Sequence, residues 1–331
     1  MAQFLRQVAL VSEVQDLSFS DLTRTSAALQ KQAIRDLSGL WDVQATVDAF
    51  HQLEDVPLGY WPIIIETDIG VDALGIHLDK DGQPFALVSL TDGWQLTASH
   101  EALEMLVDPF GNRLMAGDSP KPDQGRVEFL VEVCDPSEAA AFGYTVNGIT
   151  VSDFYTTAYF DPIQAVGVRY SFTGAITEPR QVLQGGYLSW HDPVSDHWWQ
   201  EIFFGNRPQF RDLGQLTQQP HQSLRAMIDR LTKAESLQGM FGNKEELQVA
   251  ARSYRGRVSR PSQSKAQVWR AQIAELTGRA RAAGEEGALA GLALRRPPRK
   301  GRRSSEEPEA RAVVADGRQR SAQEEEEGVE F

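Results

Sequence analysis

Cysteine, long apolar runs and phosphate-binding glycine loops are scarce or missing in this chain of 331 residues. Its one cysteine, Cys134, excludes a disulfide bond within the chain and any site built on a Cys-x-x-Cys pair. No stretch is apolar for long enough to span a bilayer, and the first residues lack the basic-then-apolar pattern of a secretion signal. We therefore expect a cytoplasmic protein, and nothing in the sequence favours a P-loop nucleotide-binding protein or a repeat protein.

Charge divides the chain into two parts. Residues 1–250 carry a net charge of −18, whereas residues 251–331 carry +5. The later part has a basic run at 295–303 and mostly alanine as its apolar residue, so it cannot bury enough surface to offset the entropy of ordering. We predict a folded domain over residues 1–240 and a charged, largely disordered tail over residues 241–331. The basic run could contact nucleic acid or an anionic membrane, but acidic blocks beside it oppose that, and a solvated tail is favoured.

Hydrophobic periodicity predicts an α+β fold for the domain, with different element orders in its two halves. The N-terminal half, residues 1–115, is predicted to run strand, helix, four strands and a second helix. Those segments cover residues 8–11, 21–37, 42–50, 60–66, 74–78, 85–90 and 92–108. The second half, residues 116–240, is predicted to be rich in β-structure and to end in one helix. Its segments cover residues 127–133, 144–154, 168–176, 187–204 and 223–234.

The second helix of the N-terminal half carries a His-Glu-x-x-Glu sequence. If this helix is amphipathic, His100 and Glu104 lie one turn apart on the same face, with Glu101 turned by about 100° around the axis. An imidazole and a carboxylate so placed can bind one divalent metal ion, and the neighbouring carboxylate can take a proton from water. The alternative interpretation is a solvated helix surface, because most glutamates at this spacing face solvent.

The same helix has predictable ends. Asp92 and Gln95 have the spacing of a capping box at its start, and Pro109 stops it near Asp108. Asp108 follows His100 by eight residues, which is about 12 Å along a helix axis and too far for both to bind one ion. We expect Asp108 to end the helix and to accept a hydrogen bond from the N–H group of a ligand.

Element order and motif together resemble zincin metallopeptidases, in which a twisted sheet backs an active-site helix. The resemblance covers roughly residues 8–135 and departs from the common H-E-x-x-H families at Glu104, which replaces the second histidine. H-E-x-x-E followed by Asp-Pro also resembles bacterial and plant zincin-like proteins related to phosphate-induced proteins. In these a Glu-x-x-Asp segment near a cysteine follows, and residues 132–135, Glu-Val-Cys-Asp, stand in that place. The resemblance implies a metal site, and a substrate-binding edge at the last strand before the helix, residues 85–90.

A third metal ligand is expected near the end of the strand predicted at 127–133. Glu132 and Asp135 are both candidates, and Asp135 precedes Pro136, which restricts its backbone. A solvent-facing strand residue and a turn residue are the respective alternatives. A set of one histidine and two carboxylates would bind zinc, and its oxygen ligands would equally suit manganese or iron.

Other histidines compete for the role of ligand. His191 and His197 lie among three tryptophans in residues 189–199 and could line a binding cleft. The favoured interpretation of this segment is a hairpin with an aromatic cross-strand cluster. His77 is predicted on a strand, where it could face the cleft or the outer surface of the sheet.

The function expected from these residues is metal-dependent hydrolysis of a peptide or amide bond. Glu101 is the expected general base, and His100, Glu104 and either Asp135 or Glu132 are the expected metal ligands. The strand at 85–90 would align a peptide by strand addition. Two alternatives stay open: a zincin-like scaffold that binds a partner without catalysis, and a metal-free interaction protein.

Overall fold

Five strands of the N-terminal half form one mixed sheet. The computed structural model describes residues 5–70, 73–80, 82–217, 222–229, 231–232, 269–271 and 273–274. The strands of this sheet are β1 (Leu5–Ser12), β2 (Gln44–Ala49), β3 (Trp61–Glu66), β4 (Gly75–Lys80) and β5 (Gln83–Ser89). They lie in the order β2-β1-β3-β5-β4, with all neighbours parallel except β4, which runs antiparallel to β5. The two edge strands are therefore β2 and β4, and β4 is the one that is closer in sequence to the His-Glu helix.

Both faces of this sheet are covered, which explains the nearly continuous apolar runs of its central strands. On β1, Val8 and Leu10 pack into the main core, whereas Ala9 and Val11 belong to a second cluster on the other face. That second cluster includes Ile273, and Trp269 packs beside it against the ring of Phe85. Trp269 and Ile273 thus contribute to the covering of this face of the sheet.

Three helices belong to the N-terminal half. They are α1 (Phe19–Lys31), α2 (Ser38–Trp41) and α3 (Trp94–Val107), with a π-helical segment at Gln32–Leu37 between the first two. Ser18 caps α1 by accepting a hydrogen bond from the backbone N–H of Asp21. The π-helical segment anchors α3, because Ser99 donates to the Gln32 side chain over 2.8 Å and Gln32 in turn donates to the carbonyl of Ser152.

The second half of the domain forms an antiparallel sheet and a short hairpin. The sheet contains β6 (Leu114–Asp118), β7 (Arg126–Leu130), β10 (Tyr187–Asp192), β11 (His197–Ile202) and β12 (Gln209–Gly214), in the order β12-β11-β10-β7-β6. The hairpin pairs β8 (Tyr144–Val146) with β9 (Ile149–Val151), and α3 packs against β4, β5 and β9. Short 3-10 turns lie at Leu53–Asp55, Asp135–Ser137, Ala140–Phe142 and Thr157–Phe160. The α+β fold class predicted from the sequence is confirmed.

Two predictions about secondary structure near the motif were wrong. The strand at residues 85–90 is not an edge, because β5 is hydrogen-bonded to β3 on one side and β4 on the other. The capping box is absent: Gly93, with φ 88°, is the N-cap of α3, and no side chain caps it. A glycine takes this left-handed conformation without steric cost, so it replaces the polar cap that the spacing suggested.

Two further predictions need correction. The strand expected at 127–133 ends at Leu130, and residues 168–176 contribute only an isolated bridge between Ser171 and Tyr155. Within the region predicted as tail, Ile273 joins the apolar cluster on the first sheet and Trp269 packs beside it. The rest of the predicted tail, including its basic run, lies outside the described residues.

Candidate metal centre

Helix α3 is buried on every side, so its polar residues face the protein rather than solvent. His100, Glu101 and Glu104 are 5%, 3% and 0% exposed. The solvated helix surface, which was the alternative interpretation of the motif, is therefore excluded. Charged side chains persist in protein interiors when they are paired or bind a metal ion, so each of these three needs a partner.

His100 stands between two carboxylates that come from different parts of the chain. Its Nε2 lies 3.2 Å from Glu104 Oε2, one turn later on α3, and 3.3 Å from Asp135 Oδ1. Asp135 begins the 3-10 turn that Pro136 helps to initiate, and this turn directs its carboxylate at the helix. Donor atoms bonded at about 2.0 Å to one tetrahedral ion lie about 3.3 Å apart. His100 Nε2 therefore lies at the distance expected for a shared metal ion from one oxygen of each carboxylate.

Several buried polar atoms around this point lack a hydrogen-bond partner among the described residues. They include one atom from each of four side chains, namely His100 Nδ1, Asp135 Oδ1, Glu132 Oε1 and Glu138 Oε1. An unsatisfied buried polar group costs about 1–3 kcal/mol, so their concentration at one place is unexpected in a purely structural core. These four residues belong to groups whose donor atoms lie within 4.8 Å of one another, a spacing that fits a bound cation.

A guanidinium lies at the same carboxylates. Arg225 Nη1 donates to Glu104 Oε2 over 2.9 Å, contacts Glu132 Oε2 directly and lies 4.0 Å from Asp135 Oδ2. Its Nε donates to Asp229, one helical turn later. Glu132, a predicted metal ligand, thus has Arg225 as its closest partner.

The Arg225 segment (residues 222–229) is fixed against the loop that follows α3. The backbone N–H of Arg225 donates to the carbonyl of Gly111 over 3.0 Å, and that of Leu224 donates to the Asn112 side chain. A Cβ on Gly111 would come within 2.8 Å of Arg225 Cβ, so the glycine permits this close approach. The segment covers the carboxylates and delivers Arg225 to them.

Negative charge exceeds positive charge in this cluster. Its five buried carboxylates, which face one guanidinium and two imidazoles, belong to Glu101, Glu104, Glu132, Asp135 and Glu138. Burial and the charge of Glu104 raise the pKa of Asp135 well above its ordinary value, and burial raises the pKa of Glu138 to about 8. Protons or metal ions must therefore compensate for the missing positive charge.

Glu104 and His100 have pKa values shifted in opposite directions. Burial would raise the pKa of Glu104, but the charges of His100 and Arg225 outweigh it and hold that pKa below its ordinary value. Burial would lower the pKa of His100, but Glu104 and Asp135 outweigh it and hold that pKa well above its ordinary value. Without metal, the ionised form of Glu104 and the protonated form of His100 are therefore the stable ones. Glu104 is ready to bind a metal ion, whereas His100 releases a proton when it binds one.

His77 reaches the cluster from the edge strand β4. Its Nδ1 lies 3.5 Å from Glu101 Oε2 and 3.7 Å from Glu104 Oε2, and its Nε2 lies 3.2 Å from the carbonyl oxygen of Asp108. The sequence left the orientation of His77 open between cleft and outer surface, and it faces inward, with 2% exposure. Asp108 ends α3, and its carboxylate accepts a hydrogen bond from the Arg113 backbone.

His191 and His197 lie on the β10–β11 hairpin, where they contact carboxylates that are not part of the candidate metal centre. His191 lies within 3.2 Å of carboxylate oxygens of Glu128 and Asp196, and His197 lies 3.0 Å from Asp212. The segment is the aromatic hairpin that the sequence favoured, since His191 pairs across the strands with Trp198. Neither histidine belongs to the described groups of side chains that could hold a metal ion.

Sequence patterns did not find all the residues at this centre. Glu138 and Cys134 join groups with His100, and both follow from the approach of residues 132–138 to α3. The Cys134 backbone N–H donates to Glu104 Oε1, while burial and the charge of Glu104 raise the pKa of its thiol. No local sequence pattern indicates that Arg225 reaches this centre, because it lies 121 residues after Glu104 in the chain.

Comparison with known proteins adds no assignment: no protein-family model, curated protein or solved structure matches this chain. Within the described residues, no helix is both long and apolar enough to cross a membrane. The side-chain geometry of the centre is therefore the basis on which a function can be proposed.

Proposed function

We propose that this protein is a metal-dependent hydrolase of a peptide or amide bond, in which His100, Glu104 and Asp135 hold the metal ion. Zinc is the first candidate, and manganese or iron also suits one imidazole with two carboxylates. When bound, such an ion would lower the pKa of a water molecule and polarise the substrate carbonyl. The observation that carries this proposal is the convergence of His100 Nε2 with two carboxylate oxygens at 3.2 Å and 3.3 Å.

The topology of the first sheet supports the zincin resemblance on which this proposal draws. A mixed sheet backs α3, and the Glu-x-x-Asp segment that the resemblance includes ends at Asp135, beside His100. Glutamate at position 104, where the common families have histidine, is compatible with a metal site. Both carboxylates and imidazoles are zinc ligands in catalytic sites.

Glu101 is the residue that we assign as general base. It adjoins His100 on α3, and its Oε2 has no hydrogen-bond partner within the described part of the chain. A carboxylate in this position takes a proton from the attacking water and delivers it to the leaving amine. A substrate peptide would align along β4, because β4 pairs only with β5 among the described strands and brings His77 beside Glu101.

One observation favours a second candidate function, a scaffold that binds metal without catalysis. The side chains of His100, Glu104 and Asp135 are at most 6% exposed, and a structural metal site is closed in this way, whereas a catalytic site keeps an open position. A substrate would reach the centre only if a covering element, such as the Arg225 segment, moved aside.

The two candidates are separated by the Glu101→Gln variant and a peptide library assayed by mass spectrometry. The hydrolase predicts cleavage by the zinc-loaded wild type, and a loss of at least about 100-fold in the variant, which keeps its metal. Glu178→Gln, at an exposed position, should cleave like the wild type. Equal cleavage by Glu101→Gln would refute the assignment of Glu101. Metal binding by the wild type without cleavage of any peptide would favour the scaffold.

A further inference from the structure

A second set of donor atoms lies beside the proposed metal centre and shares one residue with it. His77, Glu101 and Glu104 each offer one donor atom, and these atoms lie within 4.8 Å of one another. His77 comes from β4, whereas both glutamates come from α3. Of this set, only Glu104 also belongs to the group around His100.

Hydrogen bonding determines which nitrogen of His77 faces the glutamates with a lone pair. Nε2 lies 3.2 Å from the carbonyl oxygen of Asp108, which can only accept, so Nε2 carries a hydrogen. In the neutral imidazole Nδ1 then has a lone pair, and carboxylate oxygens of Glu101 and Glu104 lie 3.5 Å and 3.7 Å from it. His77 Nδ1 and Glu101 Oε2 thus face each other without a donor, and Glu104 Oε2, the third acceptor, receives a hydrogen bond from Arg225 Nη1.

Two of these atoms have no other partner. His77 Nδ1 and Glu101 Oε2 are buried and accept no hydrogen bond from any described residue. A cation among the three acceptors would satisfy them together. The hydrogen bond from Nε2 to a backbone carbonyl is the outer contact that metal-binding histidines usually make, because it fixes the tautomer and the ring orientation.

The local backbone permits this arrangement through a glycine. A Cβ on Gly75 would lie 2.5 Å from Glu101 Oε1 and 2.6 Å from Thr97 Cγ2, so no other residue fits there without moving α3 or its side chains. The missing side chain lets β4 approach α3 closely and places His77, two residues later, against Glu101.

Acidic groups outnumber basic groups in the cluster. Five carboxylates face, among the described residues, the guanidinium of Arg225 and the imidazoles of His77 and His100. Metal ions displace protons from carboxylates that they bind, so the cluster supplies enough ionisable ligands for more than one divalent ion.

We propose that a second divalent cation binds His77 Nδ1 and the carboxylates of Glu101 and Glu104, and that it inhibits hydrolysis. Inhibition follows because Glu101, once it is a ligand of this ion, no longer accepts a proton from water. The inhibitory part rests on the proposed function, whereas the binding part does not. The first ion would support activity, and the second would limit it when metal is in excess.

The test is a zinc titration of metal-free full-length protein, with stoichiometry measured by equilibrium dialysis and elemental analysis. The wild type should bind two equivalents, the second more weakly, and His77→Gln should bind one. His51→Gln is the matched control, because His51 is exposed and stacks on Phe19, and it should keep two equivalents. Glu101→Gln should also lose the second equivalent while keeping the first, and circular dichroism should show that each variant is folded.

Activity provides an independent readout of the same site. Peptide cleavage by the wild type should fall about tenfold between one and ten equivalents of zinc, whereas the same ratio in His77→Gln should stay near one. A wild type that saturates at one equivalent, or a folded His77→Gln that still binds two, would overturn the second site. If the wild type binds two equivalents but cleaves nothing, the second site stands and the proposed hydrolase activity fails.

Discussion

Arg225 Nη1 donates to Glu104 Oε2 over 2.9 Å, and the same oxygen lies 3.2 Å from His100 Nε2. One oxygen of Glu104 therefore accepts a hydrogen bond from the Arg225 guanidinium and is also the atom that we propose as a metal ligand. Because both a metal ion and Arg225 would draw on the charge of this oxygen, the two compete for it. Arg225 stabilises the metal-free centre and should weaken its affinity for metal.

The competition predicts opposite effects of Arg225→Gln on stability and on metal binding. Without metal, the variant should be less stable by about 3–5 kcal/mol, because Glu132 loses its closest partner and Glu104 keeps only His100. Its zinc affinity should rise, since Glu104 no longer shares its charge with a guanidinium. Urea denaturation and zinc titration measure the two quantities.

A surface ion pair supplies the control for this prediction. Arg24 pairs with Asp21 at 3.4 Å, and both side chains are well exposed. Arg24→Gln should change stability by less than about 1 kcal/mol and leave zinc affinity unchanged. Weaker zinc binding by Arg225→Gln would show that Arg225 supports the metal site rather than competing with it.

Gly75 should be intolerant of a larger residue because of its contact with Glu101. Gly75→Ala is expected to displace the Glu101 side chain and to destabilise the protein by about 1–3 kcal/mol. The proposed base would then be misplaced, so cleavage should fall while zinc at His100 is retained. Gly205→Ala, where nothing lies within 4 Å of the added Cβ, should be nearly neutral in both assays. Full cleavage by a folded Gly75→Ala variant would show that this glycine is not needed to position Glu101.

Stability should fall with rising pH because of Glu201 on β11. Burial raises the pKa of Glu201 to about 7. The folded protein thus binds a proton that the unfolded chain, with a pKa near 4.3, has released, so stability is lost from about pH 4 upward until pH passes about 7. Glu201→Gln should be more stable than the wild type at pH 8, by about 2 kcal/mol, and similar at pH 4. Glu178→Gln, at an exposed site, is the control, and an equal gain there or no gain at Glu201 would contradict the assignment.

Local periodicity was sufficient to predict the strands and helices of the first sheet. The runs around Val8 and Ile64 are buried on both faces, and such runs give a clear pattern for central strands. The position of β4 at the edge could not be predicted in this way, because strand order depends on crossovers between distant segments. Periodicity also suggested that α3 is amphipathic, with one face in solvent. The second half of the domain packs on the polar face of α3, so that face is buried as well.

The motif predicted His100 with Glu104, since residues one turn apart on a helix are neighbours whatever the rest of the fold does. Whether Asp135 or Glu132 reaches His100 depends on where the chain returns to α3 after β7. The sequence therefore left both residues as candidates for the third ligand. His77 and Arg225 reach the centre from β4 and from the Arg225 segment, and their contacts are set by tertiary packing alone. A cluster assembled from four separate segments cannot be assigned completely from spacing in one of them.

The most direct test of the metal centre is the metal content of purified protein, measured by elemental analysis after dialysis. His100→Ala, Glu104→Ala and Asp135→Ala are measured beside the wild type, with His51→Ala as a control at an exposed position. We expect at least one equivalent of zinc, manganese or iron in the wild type and the control, and loss of the tightly bound ion in all three variants. A wild type that holds no metal even after reconstitution, or unchanged metal in the three variants, would contradict it.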